Sequence, residues 1–157
     1  MPSHIISPID GQIAFSYDEL SLDAARAAVA QAAAAQRAWA KTPLAARKKL
    51  CLDAWAAYGT HLDESATAIT KMMGKPVGQA KGEYARSMKE RVESLVAQAE
   101  GALADTPAPE KAGFRRWIAR EPVGVVLVIA AWNYPLLVPT NALFASVHQQ
   151  TRNEDVA

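Results

Sequence analysis

The stretch "VGVVLVIAAWNYPLLVP", residues 123–139, constrains the fold more than any other part of the chain. Val125 to Ile129 is continuously apolar, the pattern of a strand buried on both faces in a parallel sheet, and Pro122-Val123-Gly124 breaks the chain just before it. The loop Trp132-Asn133-Tyr134-Pro135 follows, with Pro135 placed to start the next helix. Open α/β sheets bind ligands at strand-turn-helix junctions of this kind. The uncharged run from Val123 to Val147 does not predict a membrane span. Asn133, Pro135, Pro139 and Asn141 interrupt it, and the nine residues from Val123 to Ala131 are too few to cross a bilayer as a helix.

The sequence before this junction reads as helical. After a polar, turn-prone start (Ser7-Pro8, Asp10-Gly11), Ser21 caps a first helix, with Asp23 in its first turn and Leu22, Ala25, Val29, Ala32 and Trp39 at three-to-four spacing. The alanine-rich middle of that helix favours helicity and predicts close packing against a neighbour. Thr42-Pro43 opens a second helix with Leu44, Cys51, Ala54, Trp55 and Tyr58 on one face, closed by Gly59. Leu62, Ala66, Ile69 and Met73 mark a third, stopped by Gly74-Lys75-Pro76; Val77, Tyr84, Met88, Val92, Leu95 and Ala99 mark a long fourth, ending near Gly101. The methionines on these faces read as core filling. A proline-rich connector, Asp105 to Gly113, leads to "FRRWIAR", whose mixed pattern predicts a partly exposed strand. Helices followed by strands make a mixed α/β domain, and no internal repeat interrupts the order.

Composition narrows the function classes. In 157 residues, 17 basic and 16 acidic side chains leave a formal charge of +1, with no single-sign field for nucleic acid or a membrane surface. Arg47-Lys48-Lys49 reads as a solvated helix face. The single cysteine, Cys51, cannot form an internal disulfide, and no signal-peptide pattern opens the chain, so a cytoplasmic location is expected. Cys51 lies on an apolar face and reads as a small buried hydrophobe. His4, His61 and His148 have no partners for a triad or a metal site, so no metal is expected.

The words "REPVGVVLVIAAWNYPL" and, upstream, "GKP" carry a resemblance. The chain resembles the N-terminal part of an NAD(P)-dependent aldehyde dehydrogenase, continuously from about Ser7 to Ser146, with succinate-semialdehyde dehydrogenases the most similar in character. The resemblance implies an α/β fold: an N-terminal helical part plus the first strands of a cofactor-binding domain, incomplete over residues 1–146. In that family a cysteine thiolate attacks the aldehyde. The resulting oxyanion is held by an asparagine amide and a backbone N–H before hydride passes to the nicotinamide of NAD or NADP. Asn133 occupies the asparagine's place, and Ile129, Ala130, Ala131 and Trp132 match positions bordering the cofactor. A side-chain amide suits the role because it donates an N–H without needing a counter-charge. Ala131 departs from the family's usual proline, which predicts a looser loop. From the residues alone, an Asn before an aromatic-Pro pair can equally bond its own backbone in a turn, and Trp132 can equally be core.

After "NALFAS" the resemblance ends, and residues 147–157, "VHQQTRNEDVA", read as a divergent polar tail. The expectation is therefore a truncated member of an aldehyde-oxidising family, without the family's nucleophile and general base, acting on a small aldehyde only as part of a longer enzyme. A non-catalytic helical fragment or interaction module is the alternative. An apolar strand with an open edge also predicts self-association.

Overall fold

The computed structural model describes residues 2–148. It opens with an antiparallel hairpin, β1 (Ser3–Ile6) and β2 (Ile13–Tyr17), paired from Ser3 opposite Tyr17 to Ile6 opposite Ile13 with an irregularity after Ile5. Gly11, at φ 71°, supplies the left-handed residue of the turn. The start of the chain is thus a paired hairpin and more than a turn-prone lead; strands precede the helices.

Helix α1 (Leu22–Trp39) begins where Ser21 accepts a hydrogen bond from the Ala24 N–H. It buries none of its residues; Leu22 and Val29 are exposed. The tight packing expected of its alanine stripe is not realised among the described residues. Instead Ala32, Ala35, Ala38 and Trp39 line one side of an apolar groove of about 610 Å³, with Gly124, Val125 and Val126 on the other.

Helix α2 (Leu44–Gly59) starts one residue later than Thr42-Pro43 suggests: Pro43 occupies the cap position, and no side chain caps the helix. Proline has no N–H to satisfy there, so the helix starts without the Thr42 hydroxyl. Helix α3 (Leu62–Met73) ends at Gly74, which adopts φ 79° and donates its N–H to the Thr70 carbonyl. The expected single fourth helix is α4 (Val77–Gly82), a π-helical segment (Glu83–Met88) and α5 (Lys89–Leu103) in succession. A π segment shifts the side-chain register within a continuous helix, which three-to-four spacing cannot reveal.

The core sits where α2, α5 and the last helix, α6 (Leu137–His148), pack together. Cys51, Met88, Val92 and Ala99 are its buried apolar side chains, with Ala66 and Ala80 buried on α3 and α4. Arg47 corrects the solvated-face expectation. It is fully buried and donates to the Val147 carbonyl at 3.0 Å and to the His148 carbonyl, placing positive charge at the C-terminal end of α6. Lys48 and Lys49 pair with Glu100 and Asp53.

Two further expectations are corrected in the second half. Of "FRRWIAR", Trp117–Ile118 (β4) pairs with Thr106–Pro107 (β3) and Phe114 forms an isolated bridge with Lys111; both residues of β4 are exposed. Val123 to Ile129 is neither in a strand ladder nor buried on both faces: Leu127 is 82% and Ile129 87% exposed. A strand exists only through hydrogen bonds to a neighbour, and none of the described residues provides that neighbour. Among the described residues, no helix is long and apolar enough to cross a membrane.

Candidate active-site loop

Residues 132–136 form two consecutive turns leading into α6. Pro135 does not itself start the regular helix; it lies in the turn before it, where the Tyr134 carbonyl already accepts the Val138 N–H at 3.0 Å. Pro139 falls in the first turn of α6, where a missing N–H costs little.

Two segments distant in sequence hold this loop. Gly74 turns the chain out of α3, and the Thr70 hydroxyl donates to the Lys75 carbonyl at 2.6 Å, fixing the backbone of Lys75. The Lys75 ammonium then lies 2.5 Å from one oxygen of Glu83, at the head of the π segment. Both side chains are nearly buried, 9% and 1% exposed. The other Glu83 oxygen accepts the backbone N–H groups of Leu136 and Leu137, at 2.9 and 2.8 Å. Those are free donors of the N-terminus of α6, and the carboxylate also complements the positive end of its dipole. Lys75 completes the cluster by donating to the Asn133 carbonyl at 3.3 Å and by lying 4.1 Å from the centre of the Tyr134 ring.

Against this fixed backbone the Asn133 side chain is exposed, and its amide makes no hydrogen bond to any described residue. The self-bonded turn that the local sequence allows does not form. Ile129, Ala130 and Ala131 precede the turns in exposed backbone without regular secondary structure, and Trp132 opens the first turn; Trp132 is 76% exposed, outside the core, and lines a small apolar cleft with Ile5, Ile69, Met72 and Pro135. Cys51 lies elsewhere, buried in α2, where desolvation pushes its thiol up to about 11. His148 is buried beside Arg47, and desolvation holds its imidazole below its usual range. No group of His, Cys, Asp or Glu among the described residues is arranged to hold a metal ion.

The aldehyde dehydrogenase family model matches residues 2–148. The chain belongs to the aldehyde dehydrogenase family. It is 30% identical over 134 residues to the 3,6-anhydro-alpha-L-galactose dehydrogenase of Streptomyces coelicolor, covering 85% of this chain and 27% of that one. It is 28% identical over 138 residues to the NADP(+) succinate-semialdehyde dehydrogenase of Escherichia coli K12, covering 87% of this chain and 28% of that enzyme. The fold superposes on an aldehyde dehydrogenase from Brucella melitensis biovar abortus with a TM-score of 0.87 at 23% identity, over 96% of this chain and 31% of that one. The chain thus spans about a quarter to a third of the length of its relatives.

The motif "WNYPL" marks Asn133 in the sequence, but nothing local marks Lys75 or Glu83 as its neighbours. Lys75 has a sequence signal in the Gly-Lys-Pro stretch, a helix stop and part of the resemblance; Glu83 has none.

Proposed function

We propose that this chain is part of an enzyme oxidising an aldehyde to a carboxylic acid with NAD or NADP, in which Asn133 is the oxyanion donor. The observation carrying this reading is an exposed side-chain amide with no hydrogen-bond partner among the described residues, on a backbone that Lys75 and Glu83 hold. A donor carried on a fixed loop meets developing negative charge with little reorganisation, the condition under which such donors are most effective. The α/β fold, the "EPVGVV…AAWNYPL" pattern and the family match support it further.

The cofactor fits one edge of the described residues. The backbone of Ile129 to Trp132 makes no hydrogen bond among them and is open to a planar ligand, so these four residues would border the dinucleotide. The start of α6 does not fit the pyrophosphate: the Leu136 and Leu137 N–H groups are occupied, and the Glu83 carboxylate would repel phosphate. When bound, NAD or NADP takes up the two electrons of the oxidation. The residues here orient the substrate oxygen and border the site; the nucleophile and general base belong to sequence outside these 157 residues. Cys51, the only cysteine, is protonated and buried. The substrate class is a small aldehyde, as the names of the succinate-semialdehyde and anhydrogalactose dehydrogenases suggest. A cytoplasmic location and self-association belong to the same reading.

The second reading is a non-catalytic helical module, in which Cys51 is a core side chain. Reading the DNA downstream of the Pro139 codon in all three frames, expressing the continuous product and following cofactor reduction with aldehydes separates the two. A product with a glycine-rich turn, a later cysteine and a glutamate that reduces NAD(P) supports the enzyme; the absence of such a continuation leaves the module.

A further inference from the structure

We propose that Glu83 and Lys75 are positioning residues for Asn133, acting as one ion-paired bracket that sets the backbone of the Trp132–Leu137 loop. The inference rests on the reading of Asn133 as the oxyanion donor and goes beyond it by naming what fixes that donor in place.

Several independent observations converge. Glu83 uses each of its oxygens: one on Lys75, the other on two successive N–H groups at the start of α6. Those amides lie three and four residues after Asn133, so their position fixes the downstream end of the loop. Lys75 holds the loop at Asn133 itself, through the carbonyl, and at the next residue, through the Tyr134 ring. The bracket contacts the backbone at residues 133, 136 and 137 and leaves the Asn133 amide untouched, the division a positioning device requires.

Two features show how specifically the pair is placed. The π segment begins at Glu83, and π segments concentrate at functional sites because they cost regular helical hydrogen bonding. Here that register brings Glu83 to α6 while the adjacent Tyr84 turns to α2, donating to the Trp55 carbonyl at 3.0 Å. Lys75 follows a left-handed Gly74 and has its own carbonyl tied by Thr70, so its side chain leaves from a fixed base. Removing one member of a nearly buried pair strands the other's charge, so the pair acts as a unit.

The test is amide hydrogen exchange on the full 157-residue chain, comparing the segment 133–137 with α2 as an internal reference and using no aldehyde or cofactor. In Lys75→Met and Glu83→Leu, protection in 133–137 is expected to fall about 10- to 100-fold, as loss of charge-assisted hydrogen bonds implies, while α2 stays within about threefold of the parent. Glu83→Gln, whose carbonyl oxygen can still accept the two N–H groups, should fall less than Glu83→Leu. Lys75→Arg, which keeps a cation between Glu83 and the Tyr134 ring, should restore most of the protection lost in Lys75→Met. Unchanged protection in 133–137, or equal loss in 133–137 and α2 for both Lys75→Met and Glu83→Leu, overturns the proposal. Because the readout involves no turnover, an Asn133 substitution that leaves catalysis intact would sink the donor reading without touching this result.

Discussion

Cys51, Arg47 and His148 meet at the buried end of α6, and their chemistry separates structural from catalytic roles. The Cys51 thiol, raised to about 11 by desolvation, is protonated at neutral pH and cannot act as the nucleophile. His148 is buried with Arg47 and Lys48 nearby, and the Nε2 atom of its ring has no hydrogen-bond partner among the described residues. Because folding depresses the imidazole's pKa, the native state binds fewer protons than the unfolded state below the ordinary value of 6.5. His148's neutral form is therefore fully compatible with the fold above that pH, and stability falls as the pH is lowered beneath it. Thermal melts from pH 8 to 5 should show a declining midpoint, and His148→Phe should flatten the decline; an unchanged slope in the variant would contradict the assignment. At this scale the sequence displays Asn133 and Cys51 clearly, one by its motif and the other by its apolar helix face. It conceals Arg47, whose acceptors lie 100 and 101 residues away, and Lys75 with Glu83, whose shared target is the loop 53 and 54 residues beyond Glu83.

Among the elements, the close approach of α2 to the π segment is the most restrictive contact. A side chain at Gly59 would place its Cβ 2.3 Å from the Tyr84 hydroxyl and 3.0 Å from the ring carbon bearing it. Tyr84 also stacks on Trp55 at 5.6 Å between ring centres, so it cannot yield without losing that contact and its hydrogen bond. Gly59→Ala should cost about 1–3 kcal/mol by overpacking, and Tyr84→Phe in the same chain should recover part of it; a fully additive double variant in denaturant melts would contradict the geometry. The helices α1 and α3, and the Gly74 stop, are legible because caps, spacing and a left-handed glycine are local signals. The π segment is not, because nothing in the spacing of Val77, Tyr84, Met88 and Val92 distinguishes it from an unbroken α-helix. The hairpin lies around the Asp10-Gly11 turn, yet its strands are too short and irregular for alternation to stand out. Val123 to Ile129 has the composition of a buried strand, but strand structure depends on a partner that composition does not supply.

For the molecule as a whole, the core of α2, α5 and α6 leaves one long apolar strip outside it. Val123, Leu127, Ile129 and Trp132 are more than half exposed, and the backbone from Val125 to Trp132 pairs with nothing among the described residues. Such a strip is a template for association. Sedimentation velocity should show concentration-dependent association that Leu127→Lys with Ile129→Lys reduces; a monomer at every concentration, before and after substitution, would contradict it. The family could be read from the strip and the loop that follows, whereas the bracket supporting the loop emerges only when α3, the π segment and α6 are brought together. The most direct test of the central claim is turnover by the proposed full-length enzyme carrying Asn133→Ala. The account predicts kcat reduced about 10²–10³-fold with KM little changed, as expected for an oxyanion donor; a kcat within about threefold of the parent would show that Asn133 is not that donor.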